Sequence, residues 1–318
     1  MGDQKPLTKV LFVRSYNSGE EPISTRQGIS LQKKGIDVVF FNIIGKGARG
    51  YLSNLSLLRK CIRKENPDLI HAHYSLSGML ALLTFSRLPV IVSLMGSDVL
   101  SGNKLMLTIL KILSHWWKGV IVKSEEIYNN LGIHDAVIVP NGVDMDIFRS
   151  IPKKQARDLL KWTDDFYHIL FASDPKRPEK NFDLAADAVK HLKREIQNIK
   201  IHFLKDLNTE EIVLHYNACD CLLLTSFYEG SPNVIKEAMA CACPIVSTNV
   251  GDVAKNLERV NGGFVSSFKS SEIADNISKA LKIDRTNGRE CLMELGLNAD
   301  NTAAILLDLY SKALKTDT

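Results

Sequence analysis

Short apolar runs alternate along this chain with longer segments in which apolar residues recur every three or four positions. The short runs have the length of buried strands, whereas the spaced pattern is typical of amphipathic helices. The predicted strands lie at 9–13, 37–41, 68–73, 89–94, 168–172, 199–204, 221–225, 244–248 and 262–265. The predicted helices include 52–65, 182–192, 211–218, 271–283 and 299–315. This alternation predicts an α/β fold with parallel sheets and right-handed crossovers.

The length of the chain predicts more than one domain. Its 318 residues exceed the usual size of a single hydrophobic core. The segment 150–166 is rich in Lys and Asp, contains Pro152, and is interpreted as a linker. We therefore expect one domain at 1–150 and a second at 151–298.

The segment that follows the apolar run 221–225 carries the candidate chemistry. The leucines of the run fit a buried strand or a helix equally well. Gly230-Ser231-Pro232 after it predicts a turn and a helix start, with Ser231 as the N-cap and Pro232 at the first helical position. A helix that starts at the carboxyl end of a parallel strand presents backbone N–H groups that suit an anion such as a diphosphate.

Two acidic residues flank this helix start. Glu229 and Glu237 are eight residues apart, and eight steps of about 100° return to nearly the same helix face. Both carboxylates could therefore address one bound molecule. The alternative is a pair of solvated surface acids.

The residues between and after these acids resemble a known motif. Residues 229–241, followed by 244–248 and 250–252, are similar to the E-x7-E segment of retaining family 4 glycosyltransferases. The resemblance implies the GT-B fold, in which two Rossmann-like domains with parallel sheets face a central cleft. It also implies that Glu229 contacts the donor sugar, that Glu237 holds the ribose, and that the tail 299–318 packs back on the first domain.

The resemblance further implies that the second domain holds the donor and the first holds the acceptor. The donor-binding residues that it implies around the helix start are Gly230, Ser231, Pro232, Asn233 and Val234.

A basic loop at 173–181 is the candidate site for the donor's phosphates. Family members carry Gly-Arg directly after the preceding strand and a Lys six residues later. Lys180 matches that Lys, but Asp174 stands at the Arg position, and we expect Arg177 to replace it. Arg and Lys can compensate the charge of a departing nucleoside diphosphate. A solvated basic loop is the alternative.

The first half contains further candidate residues. His71 and His73 form an H-x-H at a strand end, and Gly96 and Asp98 belong to a second stretch that resembles the family's His-Gly-Ser-Asp, with Met95 in place of the His. A catalytic side chain is therefore absent at Met95, although its carbonyl could stabilise positive charge on the sugar. Gly19, in the loop at 15–25, is a candidate ligand contact.

Three patterns could instead indicate metal sites, namely the H-x-H, the D-x-D formed by Asp144 and Asp146, and the cysteines at 219, 221, 241 and 243. We interpret the histidines as polar or packing residues, since no third ligand lies nearby. The D-x-D context is similar to the end of the first domain in family 4. The cysteines are interpreted as small buried apolar residues. We expect no metal and no cofactor other than the nucleotide-sugar substrate.

The distribution of charge suggests where partners bind. Residues 1–150 carry 18 Lys and Arg against 12 Asp and Glu, although the whole chain has a net charge of only +4. The cations near the end of helix 52–65 either complement the helix dipole or meet anionic lipid. No apolar stretch reaches the roughly 18 residues of a membrane span, and no signal peptide is visible. We expect a cytoplasmic protein with no nucleic-acid partner. The basic first half would suit peripheral contact with the inner face of the plasma membrane or with an anionic acceptor, and solvated surface lysines are the alternative.

The combined prediction is transfer of a sugar from a nucleotide-diphosphate sugar to a glycan, a lipid-linked molecule or another acceptor. Anomeric configuration is retained, no metal is needed, and the pathway is cell-envelope polysaccharide biosynthesis. The alternatives are a catalytically weakened nucleotide-sugar-binding homologue, a GT-B epimerase or hydrolase, and an unrelated α/β binding module. An epimerase or hydrolase would consume the donor without an acceptor.

Overall fold

The computed structural model describes residues 7–16, 23–96, 99 and 104–315. The chain divides into two compact units, one formed by Met1–Gly142 with Ala299–Thr318 and the other by Val143–Asn298. The first unit thus ends at residue 142 rather than at the predicted 150. Residues 143–150 belong to the second unit because the Val143 N–H donates to Leu297 O at 2.9 Å and Phe148 lies in the second unit's core.

The first unit contains a six-stranded parallel sheet with strand order β2-β1-β3-β4-β5-β6. Its strands are β1 (Lys9–Ser15), β2 (Asp37–Ile43), β3 (Leu69–His73), β4 (Val90–Ser93), β5 (Gly119–Val122) and β6 (Val137–Ile138). Strands β1, β3, β4 and β5 contribute buried residues to both faces, and helices cover both faces. Burial on both faces explains why these strands are nearly continuous apolar runs.

The described helices of the first unit are α1 (Ile23–Lys33), α2 (Gly47–Leu52), α3 (Leu55–Glu65), α4 (Ser75–Leu82), α5 (Lys104–Leu113), α6 (Glu125–Leu131) and α14 (Ala299–Lys315). Helices α1 and α14 pack on one face of the sheet, through Leu31 and Leu306 among others. Helices α3, α4, α5 and α6 pack on the other, through residues that include Leu58 and Leu110.

The second unit contains a five-stranded parallel sheet with strand order β11-β10-β9-β7-β8. Its strands are β7 (Tyr167–Phe171), β8 (Ile199–Phe203), β9 (Cys221–Leu224), β10 (Ile245–Thr248) and β11 (Gly263–Ser266). Strand β9 lies between β7 and β10 and is fully buried. The run at 221–225, which fitted a strand or a helix, is therefore a strand over its first four residues.

The helices of the second unit are α7 (Lys153–Leu160), α8 (Phe182–Leu192), α9 (Thr209–Ala218), α10 (Asn233–Ala240), α11 (Val253–Leu257), α12 (Ser270–Ala280) and α13 (Gly288–Glu294). Helices α8 and α12 pack on one face of the sheet, whereas α9, α10, α11 and α13 pack on the other. Among the helices of the described ranges, none is long and apolar enough to cross a bilayer.

Two predicted elements differ from the structure. The helix predicted at 52–65 is two helices, α2 and α3, separated at residues 53 and 54. The linker predicted at 150–166 contains α7. Arg157 on α7 anchors it, because the guanidinium donates to both carboxylate oxygens of Asp220 at 2.8 Å and to Ala218 O at 3.0 Å. Composition alone suggested a linker because α7 is strongly polar and short.

Three aromatic rings stack beside β8 in the second unit. The indole of Trp162 stacks on the rings of His202 and His168, with centroid distances of 3.6 and 4.6 Å. His168 Nε2 lies 2.9 Å from the carbonyl of Thr163 and His168 Nδ1 lies 2.9 Å from His202 Nε2. Because the carbonyl can only accept, the neutral His168 ring donates from Nε2, and its Nδ1 accepts from His202.

This stack makes stability sensitive to acid. Burial first, and then His168, His215 and Lys200, lower the pKa of His202 from 6.5 to about 4. Between those values the unfolded chain binds a proton that the folded chain does not, so stability falls as pH falls from about 6.5 to about 4. Between pH 7 and pH 4.5, we expect the melting temperature of His202→Gln to fall less than that of wild type. Thermal unfolding followed by circular dichroism measures this difference.

The matched control is His134→Gln at an exposed position, which should follow the wild-type pH dependence. Equal losses for His202→Gln and wild type would show that His202 does not contribute to acid sensitivity.

Candidate active site

Three loops of the second unit meet at one edge of its sheet. They follow β7, β9 and β10, and these strands are parallel and adjacent. The loops therefore begin at the same edge and contain residues 172–181, 225–232 and 249–252. This edge is where ligands bind in open α/β sheets.

Lys180 and Glu229 form the central contact of these loops. Lys180 Nζ lies 2.5 Å from Glu229 Oε1, and both side chains are largely buried. The Ser226 hydroxyl donates to the same carboxylate oxygen at 2.7 Å, and the Thr248 hydroxyl donates to Ser226 O at 2.9 Å. The structure thus brings together two residues that the sequence placed 49 positions apart.

Backbone contacts hold the loop that carries Lys180. Lys180 ends a short 3-10 helix, Pro178–Lys180. The Thr225 hydroxyl, directly after β9, donates to Lys180 O at 3.1 Å and to Asn181 O at 2.9 Å. The Phe227 N–H donates to Glu179 O at 3.0 Å. The loops after β7 and β9 are therefore positioned by each other rather than independently.

Glu237 lies on α10 and is held by a residue that sequence reasoning missed. The Tyr216 hydroxyl donates to Glu237 Oε2 at 3.0 Å. Tyr216 is completely buried on α9, and burial, followed by the Glu237 charge, raises its pKa well above 10. It therefore remains a hydrogen-bond donor at neutral pH. No signal in the sequence indicates this role, because a Tyr on a core-facing helix surface looks like any other packing residue.

The helix after β9 starts one residue later than predicted. Helix α10 begins at Asn233, and its N-cap is Pro232, which makes no side-chain cap. The Ser231 hydroxyl instead donates to Asp252 Oδ2 at 2.6 Å. Glu229 precedes the helix, so the argument that Glu229 and Glu237 share a helix face does not apply. The first N–H groups of α10 have no partner within the helix, as at any helix start, and can meet an anion.

Lys236 is a second residue that sequence reasoning missed. It lies on α10, its side chain is fully buried, and Nζ donates to Ser231 Oγ at 3.0 Å. Burial lowers the pKa of Lys236 to about 8, although the charges of Asp252 and Glu237 act in the opposite direction. Its position gave a signal, since Met239 and Ala240 place it on an apolar helix face where a solvated Lys is unexpected.

Lys236, Ser231 and Asp252 therefore form a partly buried chain of hydrogen bonds that links α10 to the loops after β9 and β10. Asp252 Oδ1 is buried without a hydrogen-bond partner among the described residues. A buried polar atom of this kind is costly unless something satisfies it.

Gly251 allows the loop after β10 to approach the loop after β9. Its φ is +54°, and an added Cβ would lie 2.3 Å from Gly230 O and 2.8 Å from Glu229 O. A side chain at this position would displace the backbone that carries Glu229.

We expect Gly251→Ala to lower the free energy of unfolding more than Gly47→Ala, by about 1–3 kcal/mol. Gly47 is the matched control because its φ is +65° and nothing lies within 4 Å of an added Cβ. The two variants share the cost of a left-handed alanine, and only Gly251→Ala adds a clash. Urea unfolding measures both, and equal losses would contradict the close approach.

The pKa of Lys236 predicts a rise in stability at high pH. Because its folded pKa is about 8 and its ordinary value is 10.5, the unfolded chain binds more protons between these values, and stability increases with pH there. We expect the stability of wild type relative to Lys236→Met to rise from pH 8 to pH 10, by at most about 1.4 kcal/mol per pH unit. Urea unfolding at several pH values measures the difference.

The exposed Lys190→Met is the control and should show no such trend against wild type. A constant difference between wild type and Lys236→Met would mean that Lys236 titrates at its ordinary pKa.

Arg177 and Asp174 have other partners. The Arg177 guanidinium pairs with Glu179 at 2.6 Å, and its side chain is 56% exposed. Asp174 accepts from the Lys176 N–H at 2.9 Å and pairs with Lys205 at 3.2 Å, contacts that lower the pKa of Asp174. At the position where family members have Arg, the aspartate thus organises its own loop. The replacement of that Arg by Arg177 remains a prediction.

In the first unit, His73 ends β3 at the carboxyl edge of the sheet. Its ring is buried and Nε2 has no hydrogen-bond partner among the described residues. Burial first, then His71, Lys123 and Arg14, lower its pKa well below 6.5, so the ring is neutral at pH 7. His71 has a structural role, because its ring nitrogens lie 2.6 Å from the Tyr310 hydroxyl and 2.9 Å from Ser93 Oγ.

The backbone beside His73 is unusual. Tyr74, which follows it, has φ +85° and ψ 147°, a conformation rare for a bulky residue and typical of functional sites. Met95 and Gly96 follow the adjacent strand β4, and Gly96 has φ +108°. Asp98 and Gly19 lie outside the described residues. Tyr74 could not be found from sequence, since no residue type predicts its conformation.

The motifs with alternative metal interpretations have local roles. Asp144 Oδ1 accepts from the N–H groups of Asp146 and Ile147, at 2.9 and 3.2 Å, and so closes a turn. Cys219 Sγ lies 3.3 Å from Cys243 Sγ inside the core, and burial raises the pKa of the Cys219 thiol well above 9. Within the described ranges, no group of three or more His, Cys, Asp or Glu side chains is arranged to hold a metal ion.

Two family models match the chain. Residues 13–147 match the model described as Glycosyltransferase Family 4, and residues 175–282 match the model described as Glycosyl transferases group 1. The second match includes Lys180, Glu229 and Glu237.

Curated and solved proteins resemble the chain over most of its length. D-inositol 3-phosphate glycosyltransferase of Paenarthrobacter aurescens is 26% identical over 213 residues, 56% of this chain and 52% of that protein, so the match spans about half of this relative. Sucrose-phosphate synthase from Thermosynechococcus elongatus has a TM-score of 0.79 at 18% identity, over 96% of this chain and 98% of that one. Anabaena HepE in complex with UDP and glucose has a TM-score of 0.72 at 17% identity, over 96% and 99%. With the two parallel sheets, these similarities confirm the predicted GT-B fold class.

Proposed function

Because this chain belongs to the glycosyltransferases of family 4 and group 1, we propose that it transfers a sugar from a nucleoside-diphosphate sugar to an acceptor. We further propose that the anomeric configuration is retained and that no metal ion takes part. The donor is assigned to the second unit.

The contact between Lys180 and Glu229 is the observation that carries this proposal. It joins the loops after β7 and β9 at the edge where α10 begins. A cation, a carboxylate and the first N–H groups of a helix thus lie on neighbouring loops. That set suits a ligand that carries phosphates at one end and hydroxyl groups at the other.

The cations would compensate the charge of the leaving group. As the bond between the sugar carbon and the diphosphate oxygen breaks, negative charge grows on the phosphate. Lys180, the N–H groups at the start of α10 and buried Lys236 can stabilise that charge. The acceptor hydroxyl oxygen forms the new bond to the sugar carbon, and its proton passes to the departing phosphate. Arg177 could assist after exchanging Glu179 for a phosphate oxygen.

The two glutamates would orient the rest of the donor. Glu237 accepts from the ribose hydroxyls in this proposal, and the hydrogen bond from Tyr216 fixes its carboxylate for that task. Glu229 positions the sugar, and its contacts with Lys180 and Ser226 hold it in place. Preorganised contacts of this kind lower the cost of reaching the reactive geometry.

The first unit is assigned to the acceptor, a glycan or a lipid-linked molecule. His73 supports this assignment, because its buried neutral ring has an Nε2 without a partner among the described residues and can meet a hydroxyl group. Tyr74, with its strained backbone, follows His73 directly. The backbone of Met95 and Gly96 follows the adjacent strand β4 and so lies at the same edge of the sheet. Anabaena HepE was solved with UDP and glucose, so UDP is the first nucleotide to test.

We expect UDP to bind wild type and Glu237→Gln or Lys180→Met to weaken that binding at least tenfold, because each variant removes a charged partner of the ligand. Tyr216→Phe should weaken it less, since it removes only the hydrogen bond that orients Glu237. Isothermal titration calorimetry with UDP, GDP and ADP measures these affinities.

The control variants are Glu210→Gln and Lys190→Met, which remove the same charges from exposed helix positions. No binding of any of the three nucleotides to folded wild type would contradict the donor site. Wild-type affinity in both Glu237→Gln and Lys180→Met would contradict the roles proposed for these residues.

Turnover separates the proposal from its alternatives. A nucleotide-sugar hydrolase or epimerase would consume the donor without an acceptor, whereas a weakened homologue would bind the nucleotide without turnover. For the transfer product, the NMR coupling constant of the anomeric proton tests retention. Activity that persists in excess chelator tests independence of metal ions.

A further inference from the structure

Helix α5 has one apolar face that is used for packing. Leu110 and Trp117 are buried in the core of the first unit, and Met106 and Leu113 pack against that core. Met106, Leu110 and Leu113 follow one another in steps of four and three, so they share one side of α5, and Trp117 lies four residues beyond Leu113. That face anchors α5 against the sheet.

A second apolar row on α5 faces outward. It is offset from the packed row by one residue and is called here the α5 ridge, formed by Leu105, Ile109 and Ile112 of α5 and by Trp116, which ends the 3-10 helix Ser114–Trp116 directly after α5. Leu105, Ile112 and Trp116 are 67, 53 and 61% exposed. Single exposed apolar residues are ordinary on protein surfaces, but a continuous row about 17 Å long is not.

Lysines accompany the ridge at intervals of one heptad. Lys104, Lys111 and Lys118 are all exposed and are spaced by seven residues, which places Lys104 and Lys111 on one side of the ridge. The stretch 99–124 contains four lysines and no acidic residue. An apolar row beside a row of cations, with a Trp at its end, is the pattern of a helix that lies in a membrane interface.

We infer that the α5 ridge docks on an anionic lipid bilayer, with its apolar side chains inserted among the acyl chains and its lysines at the head groups. The charge pattern favours this occupant over a second copy of the chain. In an antiparallel twofold interface the two ridges would meet and bring Lys104 and Lys111 of one copy close to the same exposed lysines of the other, which would repel each other. The inference goes beyond the proposed transfer reaction and does not depend on it.

The α5 ridge is a different candidate contact from the cations near the end of the predicted helix 52–65. Helix α3 packs on the same side of the sheet as α5, and its Lys60, Arg63 and Lys64 are exposed. However, the apolar residues of α3 mostly face the core, and only Leu57 is largely exposed within this helix. Helix α3 can therefore add electrostatic attraction, but it lacks a row that inserts.

Vesicle sedimentation tests the inference with the full chain. We expect wild type to sediment with vesicles of phosphatidylcholine and phosphatidylglycerol and to bind vesicles of phosphatidylcholine alone at least tenfold more weakly. Ile112→Glu should weaken binding to the anionic vesicles at least tenfold. The matched control is Leu159→Glu, which alters a 62% exposed leucine of the second unit and should bind as wild type does. Circular dichroism confirms that each variant is folded.

The fluorescence of Trp116 gives a second, local readout. The chain contains three Trp residues, of which Trp117 is buried and Trp162 is stacked on histidines. Insertion of the ridge should shift the emission to shorter wavelength on addition of anionic vesicles. Trp116→Phe should abolish that shift, and Trp162→Phe should retain it.

Several results would overturn the inference. One is the absence of vesicle binding by folded wild type, and another is undiminished binding by Ile112→Glu. Loss of binding on Lys60→Glu with Lys64→Glu, while Ile112→Glu still binds, would assign the contact to α3 instead. A wild-type dimer in light scattering that becomes a monomer in Ile112→Glu, without vesicle binding, would assign the ridge to a second copy. None of these outcomes bears on UDP binding, so the donor-site proposal stands or falls separately.

Discussion

The pairing of β9 between β7 and β10 is the constraint on which the candidate site depends. Parallel pairing in this order sets three strand ends side by side, and each is followed by a loop that carries a functional candidate. Thr225 and Thr248 then use their hydroxyls to bind the neighbouring loops' carbonyls. The contact between Lys180 and Glu229 exists because the sheet holds its two loops at one edge.

Beneath these loops the protein accepts a costly arrangement. Lys236 is fully buried on α10, and Asp252 leaves one buried oxygen without a partner among the described residues. Buried charges and unpaired polar atoms destabilise a fold, and such costs concentrate at functional sites. The hydrogen bonds from Lys236 to Ser231 and from Ser231 to Asp252 link the helix to the loop that precedes it. A diphosphate at the start of α10 would place negative charge close to this lysine.

The two units have the same layered architecture but differ in the residues that lie outside their cores. Each covers a parallel sheet with helices on both faces. In the second unit, Thr225 and Thr248 at the strand ends donate hydrogen bonds to carbonyls of the neighbouring loops. In the first unit, the α5 ridge remains outside the core, beside exposed lysines. The proposed donor site and the proposed membrane contact thus lie in separate parts of the chain.

The sequence by itself determined the α/β class and most strands, and it supplied the candidates for the central residues of the site. Apolar runs that alternate with helical patterns reflect local burial, and local burial is readable from residue order. The resemblance of residues 229–241 to the E-x7-E segment, together with the basic loop, singled out Lys180, Glu229 and Glu237 as candidates, whereas the spacing of the two acids alone did not. Helix 182–192 was predicted with the bounds of α8. The start of α10 was misplaced because Ser231 is a residue type that often forms an N-cap. Its hydroxyl instead donates to Asp252, which is distant in sequence.

Only the tertiary structure decided which side chains meet. Tyr216 reaches Glu237 from another helix, and Lys236 is buried because its helix packs against the sheet, so neither role is visible in local spacing. The outward direction of the α5 ridge was also undecided, since both apolar rows of α5 look alike in sequence and only packing selects the buried one. Sequence periodicity reports which residues share a face, but contacts between distant segments depend on strand order and helix placement, which residue order does not encode locally.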